Sequence, residues 1–98
     1  MKIIQNGSAG TLESSDILIQ VNPNKSKGIN IHIDSVVKKQ FGDEIRQLII
    51  KTLQTLEVDC CEVSVIDKGA LDFAIVSRLQ SALFKGAGVD MNICWEEL

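Results

Sequence analysis

The chain has 98 residues, 45% of them hydrophobic, and a formal net charge of -3 at pH 7. This size and composition fit one globular domain, which can bury a core without help from metals or disulfides. The acidic balance argues against a nucleic-acid partner, because binding to phosphates requires a basic surface. No run approaches the roughly 20 apolar residues of a membrane span, and the start at Met1 has no signal-peptide pattern. We therefore expect a cytoplasmic protein without a membrane partner.

Residues 1–14 show no sustained hydrophobic period and are rich in small residues, among them Gly7 and Gly10. Ordering such a segment costs much conformational entropy. We therefore expect a single domain over residues 1–98, in which residues 1–14 form a flexible N-terminal arm.

Two stretches that follow alternate between apolar and polar positions, as half-buried strands do. The first places Ile17, Ile19 and Val21 on one face, and the second does the same with three isoleucines, Ile29, Ile31 and Ile33. Residues 22–28 between them are dense in turn formers, which predicts a loop. Because each strand has one polar face, we expect the two to pair as an antiparallel hairpin.

A helix is predicted from the apolar stripe that follows, with Asp34 or Ser35 as its N-cap and an end near Glu57. The stripe recurs at spacings of three and four, and its members are Val37, Phe41, Ile45, Leu48, Ile49, Thr52, Leu53 and Leu56. Gly42 lies inside this helix, so a break there, with Asp43 capping a second helix, is an open alternative.

The second half of the chain predicts one more strand and one more helix. Alternation of Cys61, Val63 and Val65 marks the strand, which ends near Ile66, and Asp67 is placed to cap the next helix. A stripe at helical spacing predicts the second helix, and Gly86-Ala87-Gly88 should end that helix. The members of the stripe are Leu71, Ala74, Ile75, Arg78, Leu79, Ala82 and Leu83. For the tail from Val89 to Trp95, a short fourth strand and a docked irregular segment remain alternatives.

The predicted order is ββαβα with an optional final strand. It indicates an α+β two-layer sandwich, in which two helices pack on one face of a mixed or antiparallel sheet. If the strands on either side of the first helix are parallel, their connection should be right-handed. The order of the strands in the sheet does not follow from the pattern.

Candidate metal ligands are few. The chain has three cysteines and one histidine, and Cys60 and Cys61 are adjacent, so on a strand they point to opposite faces. We interpret the cysteines as structural thiols and expect neither a metal site nor a catalytic role for His32.

The stretch from Ala9 to Asp16 reads Ala-Gly-Thr-Leu-Glu-Ser-Ser-Asp, with Ser14 between two carboxylates on a segment of small residues. By itself, a serine in this setting is usually a turn or cap residue. Together with the later Lys39-Gln40-Phe41-Gly42-Asp43 and Asp67-Lys68-Gly69-Ala70-Leu71-Asp72, however, this octet resembles the acyl carrier (gamma) subunit of citrate lyase. The resemblance runs over nearly the whole chain, from about Met1 to Trp95.

The resemblance implies a non-catalytic carrier. It implies that Ser14 is cofactor-binding and carries, through a phosphodiester, 2'-(5''-phosphoribosyl)-3'-dephospho-CoA. Ser15 fills a place that is often glycine in that family, and it offers a competing hydroxyl.

The implied partners are a prosthetic-group transferase, which attaches the group, and the alpha and beta subunits of citrate lyase. The alpha subunit (acyl transferase) exchanges acetyl for citryl on the carrier thiol, and the beta subunit (citryl lyase) releases oxaloacetate and regenerates the acetyl carrier. The carrier of citramalate lyase is an open alternative. So is a small interaction or regulatory domain without a covalent cofactor.

Two further motifs have competing interpretations. Asp34-Ser35-Val36 resembles the Asp-Ser-Leu of ordinary acyl carrier proteins, but the preceding residues predict a strand, so we expect Ser35 to cap a helix. The turn at residues 67–70 could bind the phosphates of the cofactor through free N–H groups at a helix start, with Lys68 adding positive charge. The interpretation that we prefer for this turn is a cap and a tight turn.

Overall fold

The computed structural model describes residues 1–24, 28–36 and 39–89. Its elements are β1 (Gly7–Gly10), β2 (Ile17–Asn22), β3 (Gly28–Ser35), α1 (Lys39–Thr55), β4 (Cys60–Asp67) and α2 (Asp72–Gly86). The described strands form one four-stranded sheet in the order β1-β2-β4-β3. The apolar faces of β2 and β4 share one core with both helices, so the predicted α+β two-layer sandwich is confirmed.

The hairpin predicted for β2 and β3 is wrong. β4 lies between them, antiparallel to β2 and parallel to β3, and α1 makes the connection between the two parallel strands. The burial pattern explains this order, because Cys61 and Val63 of β4 are fully buried whereas Ile29 and Ile31 of β3 are only half-buried. The two strands with fully buried side chains, β2 and β4, take the central places, and β3 takes an edge.

Within residues 1–14, the segment expected to be a flexible N-terminal arm, Gly7–Gly10 pair with β2 as the edge strand β1. Ile3 lies in the core, and the Ile4 N–H donates to the Gly86 carbonyl at 2.9 Å. A Cβ added to Gly7 would press on the Ala82 carbonyl oxygen and the Gly86 nitrogen of α2. The small residues that made this segment look mobile therefore allow α2 to lie directly on the strand.

The first helix runs without a break through Gly42, so the alternative of two helices is wrong. Its buried stripe contains the predicted Ile45, Ile49 and Leu53. Asp34 and Ser35, the two predicted N-caps, are the last residues of β3, and residues 37–38 between them and the helix lie outside the described part. Val37 and the side chain of Phe41 lie outside the described part, as does the tail from residue 90 with Trp95.

The second helix buries the predicted Ile75, Leu79, Ala82 and Leu83 and ends at Gly86, as expected. Leu71 was expected in its buried stripe, but it precedes the helix and is 66% exposed. Within the described ranges, no helix is both long and apolar enough to cross a membrane.

Candidate functional site

Ser14 lies in the loop that joins β1 to β2. This loop starts at Gly10, whose φ of 101° is favoured by glycine, and it contains a tight turn in which the Asp16 N–H donates to the Glu13 carbonyl at 3.1 Å. Ser14 and Ser15 are the two central residues of that turn, and both are exposed. Ser15 has a φ of 66°, in the left-handed region, and this accounts for glycine being suited to its place.

The side chain of Asp16 holds the loop closed. The Thr11 hydroxyl donates to Oδ2 of Asp16 at 2.6 Å, and the Ile17 N–H donates to Oδ1 at 2.7 Å. The Thr11 hydroxyl in turn accepts the Glu13 N–H at 3.2 Å. The two ends of the loop are therefore joined directly, and the backbone N–H of Glu13, just before Ser14, is bonded to the same Thr11 hydroxyl.

Asp16 also connects the loop to α2. Its carboxylate lies 3.2 Å from Nη2 of Arg78, and its side chain is 17% exposed. The hydrogen bond from Thr11 is the main cause that lowers the pKa of Asp16, helped by the Ile17 N–H and by Arg78, while burial acts in the opposite direction. The group is thus held as a carboxylate, which is the form that accepts all of these hydrogen bonds.

A second turn, residues 67–70, lies against the Ser14 turn. The Ser15 N–H donates to the Lys68 carbonyl at 2.8 Å, and the Lys68 N–H donates to the Asp16 carbonyl at 2.9 Å. The pairing of Ile17 with Asp67 in the β2–β4 ladder brings these distant parts of the chain together. The fold therefore unites two of the motifs on which the family resemblance rests.

Asp67 shapes this second turn from inside the protein. It is 1% exposed, and its Oδ1 accepts the N–H groups of Gly69 at 3.2 Å and Ala70 at 2.9 Å. Its Oδ2 accepts the Ser35 hydroxyl at 2.8 Å. The prediction that Asp67 caps α2 is wrong, because the N-cap residue is Leu71, and Asp67 closes its own turn instead. Ser35, expected at the start of α1, donates its hydroxyl hydrogen bond to Asp67 from the end of β3.

Sequence reasoning placed Ser14 on an exposed segment, but it missed the residues that fix that segment. Thr11 and Asp16 are part of the octet, so their joint presence was a usable signal. Arg78 was assigned to an apolar stripe, and nothing in the spacing indicated that its guanidinium reaches Asp16.

Cys60 and Cys61 are thiols in the described part of the chain, and Cys61 is fully buried. Burial raises the pKa of the Cys61 thiol to about 11, with a smaller contribution from neighbouring Cys60. Cys60 contacts the Asn24 carbonyl, with 3.1 Å between sulfur and oxygen. No group of three metal-binding side chains occurs within the described residues, and His32 is exposed on the open face of the sheet.

Two hollows in the described surface lie away from Ser14. One, of about 190 Å³, is lined by Asn6, Gly7, Ser8, Gln20 and Asn22. A larger groove, of about 600 Å³, lies where β2 ends and β4 begins, and its lining includes Pro23, Asn24 and Cys60. Ser14 is thus a surface position outside both hollows.

Comparison with known proteins identifies the family. A family model described as malonate decarboxylase delta subunit (MdcD) matches residues 4–85. Citrate lyase acyl carrier proteins from Streptococcus pyogenes serotypes M4 (strain MGAS10750) and M28 (strain MGAS6180) are each 50% identical over 98 residues, covering 100% of this chain and 95% of the relative. The chain belongs to the citrate lyase acyl carrier protein family. The resemblance inferred from the Ser14 octet and the two later motifs is therefore confirmed.

The fold of this chain also occurs in a solved assembly. A chain in the crystal structure of a Pseudomonas malonate decarboxylase hetero-tetramer in complex with malonate superposes with a TM-score of 0.63 at 16% identity. The match covers 87% of this chain and 91% of that one. At this identity the likeness shows a shared fold.

Proposed function

We propose that this chain is the acyl carrier subunit of citrate lyase, itself non-catalytic, and that Ser14 carries 2'-(5''-phosphoribosyl)-3'-dephospho-CoA through a phosphodiester. The observation that carries the proposal is the position of Ser14, exposed in a tight turn that Asp16 and the Lys68 carbonyl hold in place. Membership of the carrier family supports it independently.

The residues present fit such a group. Attachment requires a hydroxyl that a modifying enzyme can approach, and Ser14 is exposed on a surface loop. Ser15 is a poorer candidate because its own N–H is bonded to the Lys68 carbonyl, which holds this residue closer to the body of the domain.

When bound, the group supplies a thiol that holds acyl groups as thioesters. The contribution of the chain is to fix the attachment point, so that steps on different subunits become intramolecular and proceed at high effective concentration. The partners proposed for it are the alpha (acyl transferase) and beta (citryl lyase) subunits, which together convert citrate to acetate and oxaloacetate. A prosthetic-group transferase loads the carrier.

Mass spectrometry of the chain produced together with its native operon partners tests the proposal. Intact mass followed by peptide mapping should show one phosphodiester-linked adduct on Ser14. The variant Ser14→Ala should lack the adduct, whereas Ser15→Gly, the matched control, should keep it. An unmodified wild-type chain, in a preparation whose lyase is active, would refute the carrier assignment and favour an interaction domain without a covalent cofactor.

A further inference from the structure

Several large apolar side chains are exposed at the end of the domain that carries Ser14. They are Leu12, Val36, Leu71 and Phe73, with exposed fractions of 55%, 66%, 66% and 73%. We call these four residues the apolar collar. Exposed apolar residues that occur singly are ordinary, but several around one site mark a contact surface.

Chain connectivity and backbone hydrogen bonds place the residues of the collar beside the two turns of the site. Leu12 precedes Ser14 by two residues in the same loop. Leu71 and Phe73 follow the turn of residues 67–70, which is bonded to Ser15. Val36 reaches the same turn from β3, because its N–H donates to the Asp67 carbonyl at 3.1 Å.

The core does not account for these residues. Ile75 and Leu79 of α2 are 2% and 0% exposed, whereas Phe73, in the first turn of the same helix, is mostly exposed. An aromatic side chain contributes a large apolar area when it becomes buried, so exposing it costs solubility without stabilising the fold. Its position suits an interface.

The charges around the collar indicate the chemistry of the surface that it would meet. Glu13 of the Ser14 turn and Asp72 at the start of α2 are both exposed. Lys68 is half-buried, and Arg78 is paired with Asp16. A complementary surface is apolar at its centre and carries basic groups on its rim.

We propose that the apolar collar is the docking surface for the enzyme that attaches the prosthetic group, an inference that rests on the proposed function. In the attachment step, Oγ of Ser14 forms a bond to phosphorus of an activated phosphoribosyl donor. The bond from that phosphorus to a diphosphate leaving group breaks, and the hydroxyl proton passes to a base of the transferase. These atoms must come within bonding distance of Ser14, so the transferase has to contact the protein surface immediately around it.

The acyl-processing subunits have a different requirement. They act on a thiol at the far end of the attached group, and that distance removes the need to cover the residues next to Ser14. A basic rim on the transferase also serves its phosphorylated donor, because the same cations that face Glu13 and Asp72 can hold phosphate oxygens. The collar and its acidic rim therefore fit the transferase best.

The rate of loading tests the collar directly. The apo chain is incubated with the transferase and the activated donor, and the initial rate of mass increase is followed by intact mass spectrometry. Leu71→Asp and Phe73→Asp should each lower kcat/KM by at least roughly tenfold, as for residues at the centre of an interface. Ile4→Asp is the matched control, since Ile4 is 60% exposed but lies at the opposite end of α2, where its N–H meets Gly86. The control should load within about twofold of the wild-type rate.

Binding measurements separate docking from chemistry. The Ser14→Ala chain, which cannot be loaded, should bind the transferase, and adding Phe73→Asp should raise Kd by roughly the same factor as in the kinetic assay. If the wild type is loaded and the Phe73→Asp and Ile4→Asp chains are loaded at equal rates, the docking proposal is overturned and the proposed function stands. An unchanged Kd for the Phe73→Asp chain would also overturn the docking proposal. A concentration-dependent dimer of the apo chain that Phe73→Asp abolishes would overturn it as well, because the collar would then be the contact surface for a second copy of the chain. Absence of any adduct on the wild type would overturn both proposals.

Discussion

Replacement of Asp67 by alanine should destabilise the domain and loosen the support of the Ser14 turn. The carboxylate is 1% exposed and accepts three hydrogen bonds, from the Ser35 hydroxyl and from the Gly69 and Ala70 N–H groups. Alanine leaves all three donors without this acceptor, in a region where water has only partial access. At about 1 kcal/mol for each lost bond, the free energy of unfolding should fall by about 3 kcal/mol.

Thermal and urea denaturation would measure this loss. For a domain of this size, about 3 kcal/mol corresponds to a fall in Tm of about 12 to 24 °C. Asp67→Asn provides a graded comparison, because its side-chain oxygen can still accept the Gly69 and Ala70 N–H groups. It should lose only about a third of that stability, since one hydrogen bond is changed.

Asp34→Ala is the matched control, because Asp34 is an exposed carboxylate one residue before Ser35 on the same strand. Its removal should change the free energy of unfolding by less than about 0.5 kcal/mol. A loss below about 1 kcal/mol for Asp67→Ala, or equal losses for Asp67→Ala and Asp34→Ala, would refute the view that Asp67 holds the second turn.

Three further predictions concern other parts of the domain. Gly7→Ala should lower the free energy of unfolding by about 1 to 3 kcal/mol, measured by urea denaturation, because its Cβ would press on α2, whereas Ser8→Ala on the exposed side of β1 should be nearly neutral. Thr11→Val should raise the pKa of Asp16 towards its ordinary 3.8, because the hydrogen bond that mainly lowers this pKa is removed. Titration of the Asp16 carboxyl carbon by NMR would measure the change, and an unchanged pKa would contradict the hydrogen bond between Thr11 and Asp16. Burial raises the pKa of Cys61 from 9.0 to about 11, so as pH rises above 9 the unfolded chain ionises first and the free energy of unfolding should fall until about pH 11. Cys61→Val should flatten this decline, and equal slopes for both proteins would contradict the assignment.

Periodic segments of the sequence predicted most of the elements. The alternation that ends with Val65 and the stripe from Ile75 to Leu83 each correspond to an element of the structure, because one face of each is buried in the common core. Strand order could not be predicted, since alternation states which face is buried but not which strand lies alongside. The parallel pairing of β3 with β4 depends on how α1 packs, and this is a property of the whole fold.

The first strand was missed for a different reason. Gly7-Ser8-Ala9-Gly10 has neither alternation nor branched side chains, so its intrinsic preference for a strand is weak. Its place in the sheet comes from tertiary packing, because α2 comes so close to Gly7 that no larger residue fits. The location of the candidate site at Ser14 was predictable from the octet, but its attachment to α2 through Arg78 was not.

The clamped loop between β1 and β2 sets the reach of anything attached to Ser14. A free arm of fourteen residues could extend by about 46 to 50 Å, and a thiol at its tip would visit widely separated places. Here the pivot is fixed to the body of the domain by Asp16 and by the Lys68 carbonyl. With the proposed prosthetic group attached to Ser14, its thiol would move within a sphere whose radius is the length of that group alone. Under the proposed function, the catalytic centres of the partner subunits would therefore have to lie within that radius of a single point, and the position of the carrier in the complex would determine which centres its thiol reaches.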